Sequence, residues 1–255
     1  MHLIIEFISK DSIILPKYYN SIIQGFIYKT LDEELSEFLH EKGYGTGRSF
    51  KLFACSNIMG KFDARSQPGY IRFGNRIKLE IASPVDKICE SFASGLMKKR
   101  LLLGKNLVDV GSIAIDRQEV TSDTITVKTL SPVVTYSTLM KPDGKKYTCY
   151  FQPGEPDFQR ICTENLRKKY TAYTNEEAPA GQVSITPLSQ PKLHIIKYRD
   201  TIIKGYSCTM ELSGPKPLLQ MAVDAGLGSK NAQCFGLIRL LERRSGTIPI
   251  NVDPQ

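Results

Sequence analysis

YIRFGNRIKLEIASPVDKICESFASGLMKKRLLLGKNLVDVGSIAID, residues 70–116, is the stretch that decides the fold. Apolar and polar residues alternate on both sides of Gly74-Asn75, which predicts a hairpin of two strands. Pro84 opens a segment with helical apolar spacing, and Gly104 is expected to close it. NLVDVGSIAIDRQEV (106–120) then reads as a strand. Upstream, LIIEFIS (3–9) is a short apolar run suited to a buried opening strand, and FKLFACS (50–56) reads as another. Between them, Ile22, Ile23, Phe26, Ile27 and Leu31 recur at helical spacing after Pro16. Asp32 reads as the N-cap of a second short helix, DEELSEFLHEK (32–42). The order is strand, helix, strand, strand, helix, strand, the split βαβ pattern of a ferredoxin-like domain.

Downstream of Ser122-Asp123, β-branched residues restart in TITVKTLSPVVTYS (124–137), so a domain boundary is expected near residue 122. FQRICTENLRKKYTAY (158–173) reads as a helix, and residues 175–191 as a surface loop rich in Pro, Gly, Ser and Gln. KLHIIKYRD (192–200) and IIKGYSCTMELS (202–213) read as paired strands, PLLQMAVDAG (217–226) as a helix and CFGLIRLLE (234–242) as a closing strand. The second half repeats the element order of the first without repeating its sequence. The expectation is an α+β chain of two tandem ferredoxin-like domains, residues 1–122 and 123–255.

The chain has 255 residues, 34 Lys and Arg against 26 Asp and Glu, a formal charge of +8 and a pI near 9.1. That excess favours a polyanionic partner, because each phosphate neutralised releases condensed counterions. No run approaches the ~20 apolar residues of a membrane helix, and the opening MHLIIEFISKDSIIL lacks the basic flank of a secretory leader. The six cysteines form no C-x-x-C pair, which argues against a zinc ribbon or a thioredoxin-type site. Reduced thiols in a cytoplasmic protein are expected.

Three histidines occur, His2, His40 and His194. His2 stands at the chain start and His194 inside an apparent strand. His40 closes the second helix, just before a loop carrying Gly43, Gly45 and Gly47 with Lys42 and Arg48. RNA carries its own nucleophile, the 2′-OH, so a protein cutting it must move protons and stabilise charge on phosphorus. An imidazole suits the first task and a Lys or Arg the second; this chemistry calls for no metal or cofactor. Tyr28, Lys42, Arg48 and Lys51 offer the right types nearby, although Tyr28 and Lys51 taken singly are more often structural or solvent-facing. GLGSKNAQCFG (226–236) places Gly226, Gly228 and Gly236 around Lys230. Glycines permit close backbone approach to a phosphate chain, but a helix C-cap and turn is the plain alternative. A nucleotide fold would need the glycines after a strand and opening a helix. The predicted order here is the reverse.

GFIY (25–28), FLHEKGY (38–44) and KLFACS (51–56), followed by IMGKF, occur in the order found in the CRISPR-associated Cas-six endoribonucleases, which this chain resembles. GLGSKNAQCFG is similar to that family's glycine-rich signature, with Ala232 where a serine is common and Cys234 in place of a glycine. The resemblance covers essentially the whole chain. It implies tandem RAMP (RRM-like) domains that cut the repeat in a CRISPR precursor transcript without metal. The products would be a 2′,3′-cyclic phosphate and guide RNAs with a 5′ repeat tag. It also implies a triad of Tyr28, His40 and Lys51, acting respectively to assist proton transfer, to serve as general base or acid, and to stabilise the phosphorane. Lys42, Arg48, Lys192, Lys197, Arg199, Lys204, Lys230 and Arg239, with the three glycines, are candidates for holding the RNA. Effector-complex subunits and a second copy of the chain are further candidate partners. The rival reading is a subunit that binds guide RNA without cutting it.

Overall fold

Leu3, Ile5 and Phe7 are buried while Ile4, Glu6 and Ile8 between them are partly exposed, so the opening run is a strand packed mainly through one face. The computed structural model describes residues 1–98, 100–140, 142–241 and 247–250. The first half runs β1 (His2–Ile8), β2 (Ile14–Pro16), α1 (Asn20–Thr30), α2 (Glu33–Glu41), β3 (Ala54–Cys55), β4 (Phe62–Asp63) and β5 (Tyr70–Phe73). It continues through β6 (Arg76–Ala82), α3 (Asp86–Lys98), β7 (Leu101–Leu103) and β8 (Asn106–Asp116). The second half runs β9 (Thr124–Thr129), β10 (Tyr136–Met140), β11 (Lys146–Tyr150), α4 (Pro156–Thr174), β12 (Ser184–Pro187) and β13 (Lys192–Tyr198). Then follow β14 (Thr201–Ser207), β15 (Thr209–Ser213), α5 (Lys216–Ala225), β16 (Ile238–Leu240) and β17 (Thr247–Ile250).

Two antiparallel sheets carry the fold. The first is ordered β8-β1-β6-β3 and the second β16-β9-β15-β12. In each, the fourth strand of the βαββαβ unit lies beside the first, then the third, then the second, so the chain is a tandem of ferredoxin-like units. β17 adds to the first sheet against β8. Phe26 meets Phe7 and Phe92 edge-on, with ring centroids 5.5 and 6.2 Å from its own, and this ties α1 to both β1 and α3. Truncating Phe26 to Ala would cost about 3–5 kcal/mol. The second core gathers Phe158, Cys162 and Leu166 of α4, Leu218, Leu219 and Ala222 of α5, and Val127, Met210 and Leu212 of the sheet.

The two cores exchange residues across their seam. Phe50 and Leu52 are buried in the second core, and Cys234 in the first. Cys55 and Cys234 form a disulfide there, with Cα atoms 4.5 Å apart. This corrects the expectation of six reduced thiols; Cys89, Cys149, Cys162 and Cys208 are free. Glu80 on β6, wholly buried, is met across the seam by the guanidinium of Arg239 on β16 and lies 2.9 Å from His2 Nδ1.

Several local expectations change. β5 and β6 do not pair: β5 joins β2 and β4, while β6 lies between β1 and β3. Gly74-Asn75 is a bend between sheets, and the alternation that predicted a hairpin carried no information about partners. Leu101–Leu103 is a strand against β8, not the last turn of α3, so Gly104 closes a hairpin instead of a helix. FKLFACS contributes only Ala54–Cys55 to a sheet, and the loop expected at 175–191 contains β12. β14 and β15 follow each other directly but enter different sheets. Among the described residues, no helix is long and apolar enough to cross a membrane.

Candidate active site

α2 is placed by its caps. The Asp32 carboxylate accepts from Leu35 N–H at 2.9 Å and from the Ser91 hydroxyl, and these donors, Ser91 first, hold its pKa below the ordinary carboxylate value. At the other end the N–H groups of Lys42 and Gly43 both donate to Phe38 O, at 2.9 and 2.7 Å. Gly43 takes φ +66°, and a Cβ there would sit 2.5 Å from Ser49 Oγ and 2.7 Å from Phe50 O. Only glycine fits that turn. Tyr44 and Phe50 then exchange backbone hydrogen bonds of 2.7 and 2.8 Å, which brings the chain back beside the helix end. Lys51 Nζ consequently donates to His40 O at 3.1 Å and to Ser49 Oγ at 3.3 Å.

Tyr28 reaches the same place from α1, its ring perpendicular to the His40 imidazole with centroids 6.4 Å apart. His40 is 76% exposed and its Nδ1 lies 2.7 Å from Glu41 Oε1. An ionised carboxylate can only accept, so Nδ1 carries the hydrogen and Nε2 keeps a free lone pair in the neutral ring. Burial, reinforced by Tyr198, pushes the Tyr28 phenol up to about 12, and it remains protonated at neutral pH. Burial lowers the Lys51 ammonium below its usual value, opposed by the charge of Glu41.

These groups line one wall of a cleft of about 1070 Å³ between the two halves, and the opposite wall comes from α4, the β13–β14 turn and residues 225–233. Tyr198 reaches across the cleft to donate its hydroxyl to Gln24 Oε1, one turn before Tyr28. Of the residues predicted from sequence, the structure gathers Tyr28, His40, Lys51, Arg48, Arg199 and Lys230 around this space. Arg48 lies 5.3 Å over the Phe50 ring and Lys230 Nζ 5.5 Å over Tyr136.

The rest lie elsewhere. Lys42 is exposed on the loop outside the cleft. Lys192, Lys197 and Lys204 are exposed on the β13–β14 hairpin; Lys197 and Lys204 share its outer face with Leu193, Ile195 and Ile202. Arg239 is turned inward to Glu80 and is a seam residue, not a free phosphate ligand. The three glycines of residues 226–236 pack closely against the chain itself. All three are buried with positive φ, and a Cβ on Gly236 would stand 2.0 Å from Leu227 O, one on Gly228 2.6 Å from Val134 O and one on Gly226 2.7 Å from Asn231 Nδ2. Their missing side chains make room for the protein's own atoms.

Sequence reading passed over the residue that holds this segment. Lys169 on α4 is 3% exposed, and its Nζ donates to Gly226 O (2.7 Å), Asn231 Oδ1 (2.7 Å), Ala225 O (3.3 Å) and Gly228 O (3.3 Å). Asn231 Nδ2 adds Leu227 O and Phe235 O, both at 3.1 Å. Burial draws the Lys169 pKa down to about 7. A signal was present: Phe158, Cys162, Leu166 and Lys169 fall on the buried stripe of α4.

A family model for the C-terminal region of CRISPR-associated protein Cas6 matches residues 115–240. CRISPR-associated endoribonuclease Cas6 1 of Methanocaldococcus jannaschii is 25% identical over 199 residues, covering 78% of this chain and 77% of that protein. CRISPR-associated endoribonuclease Cas6 of Pyrococcus furiosus is 24% identical over 233 residues, covering 89% and 83%. Among solved structures, a Cas6-related protein from Pyrococcus furiosus superposes with a TM-score of 0.83 at 20% identity over 96% of this chain and 99% of that one. A RAMP protein described as binding different RNA substrates gives 0.80 at 20% identity over 95% and 100%. The two ferredoxin-like units, the matched C-terminal region and relatives aligned along most of their length agree: along most of its length this chain is similar to CRISPR-associated Cas6 proteins.

Proposed function

We propose that this chain is an endoribonuclease that cuts CRISPR repeat RNA in a precursor transcript by internal attack of a 2′-OH. The observation that carries this reading is the meeting of three proton-bearing groups at one cleft wall: Lys51 bonded to the His40 carbonyl, and Tyr28 edge-on to the His40 ring. His40 Nε2 takes the 2′-OH proton while O2′ bonds to phosphorus. The P–O5′ bond breaks, and the departing oxygen takes a proton from the imidazolium or from the Tyr28 phenol. Lys51 offsets the charge of the phosphorane. The products are a 2′,3′-cyclic phosphate and a 5′-hydroxyl that begins the repeat tag of the next guide RNA. Arg48, Arg199 and Lys230 hold phosphates along the cleft, and Lys42, Lys192, Lys197 and Lys204 extend a positive surface outside it.

The test is cutting of a labelled transcript of the host's own CRISPR repeat in excess EDTA. Persistent product ending in a cyclic phosphate is expected, as is none from RNA carrying a 2′-deoxy nucleotide immediately 5′ of the cut. Product from the deoxy substrate would rule out internal attack. A clean gel shift without any product would favour the guide-RNA-binding reading.

A further inference from the structure

Asn165 lies on α4 one turn before Lys169 and lines the cleft, yet it is 3% exposed and its Oδ1 has no hydrogen-bond partner among the described residues. Gln233, also lining the cleft, leaves Oε1 buried and unpartnered while its main-chain oxygen is held by Asn20 Nδ2 at 3.0 Å. Buried polar atoms are nearly always paired, because an orphan forfeits its hydrogen bond to water. Lys169 cannot serve Asn165, since its three protons already face four oxygens. That cation is consumed by the glycine segment, so the floor of the cleft offers neutral acceptors and not a phosphate site. Tyr28, Phe50 and Tyr198 line the same space and supply aromatic faces.

We propose that this floor is a base-reading subsite in which Asn165, with Gln233, accepts hydrogen bonds from the exocyclic amino group of one unstacked nucleobase. The proposal rests on the RNA-cutting function above and adds a specificity-determining residue to it. Adenine, cytosine and guanine carry such an amine; uracil does not, and its ring donor, N3–H, is flanked by two carbonyl oxygens that would meet the open amide oxygens.

The experiment is single-turnover cutting of the host's repeat RNA alongside a set in which each adenosine, guanosine or cytidine is singly replaced by purine riboside, inosine or uridine. Wild type should show one position where loss of the amine slows cutting about tenfold or more. In Asn165→Ala that penalty should fall below about twofold while penalties at other positions persist, and Gln233→Ala should reduce it in part. The Tm of Asn165→Ala should match wild type, because no Oδ1 hydrogen bond is lost. A penalty that survives in Asn165→Ala, a uniform loss on every RNA, or the absence of any such position in wild type would overturn the proposal. A wild-type chain that cuts no repeat RNA at all would instead remove the function on which it rests.

Discussion

The two walls of the cleft are built on opposite plans. On the first, His40 stands 76% exposed at the end of a helix, steadied by its neighbour Glu41, and Lys51 reaches it from a glycine-turned loop. On the second, the main-chain oxygens of Ala225, Gly226, Leu227, Gly228 and Phe235 turn inward and are met by Lys169 Nζ or Asn231 Nδ2. The groups proposed to react are held loosely and the surface facing them is held tightly. Exposed side chains can be removed without loss of fold, whereas the buried scaffold answers first in stability.

His40→Ala should divide those properties most sharply, lowering the single-turnover rate by about a hundredfold or more with RNA affinity and Tm little changed. An unaltered rate would place the chemistry elsewhere. Lys169→Met should do the reverse, costing about 3 kcal/mol in urea denaturation because four oxygens lose their donor. It should also flatten a pH dependence. The folded-state pKa of Lys169, about 7, lies below the ~10.4 of an unfolded lysine, so the unfolded chain binds more protons between these values. Wild-type stability from this group therefore rises with pH across that window and is lost as pH falls towards 7. Stability curves of equal slope for the two proteins would contradict the burial argument.

Arg239→Met should cost about 2 kcal/mol by leaving Glu80 without its cross-seam partner, while RNA affinity holds. Lys51→Ala should slow cutting by roughly tenfold. Because burial lowers the Lys51 pKa, the alkaline fall in wild-type rate should begin below the usual lysine range, and Tyr28, at about 12, should not contribute to it. A pH–rate profile that Lys51→Ala leaves unchanged in shape would detach Lys51 from the reaction. Arg199→Ala should have the smallest effect, weakening binding a fewfold and reducing the salt slope by about one. Equal salt slopes for Arg199→Ala and Arg239→Met would erase the difference between a cleft residue and a seam residue.

Periodicity carried the helices that place Tyr28 and His40, and the Asp32 cap was legible because its hydrogen bond is local. What could not be read depends on partners distant in the chain. Arg239 is a phosphate candidate by type and a seam residue by virtue of Glu80, 159 positions away. The glycines answered a demand for positive φ and close approach, but sequence does not say whether RNA or the chain's own carbonyls come close. Lys169 was hidden by its residue type, since lysine is ordinarily read as solvent-facing even on an apolar stripe. Leu101–Leu103, three identical aliphatic residues, has no period to separate a last helical turn from a strand.

The Cys55–Cys234 bond spans 179 positions and ties the edge strand of one sheet to the segment that walls the cleft from the other side. Such a tether removes on the order of 5 kcal/mol of freedom from the unfolded chain and denies the folded one a jaw-like motion at that point. An RNA cut internally, as proposed above, would have no free end to thread and would enter the cleft from the side.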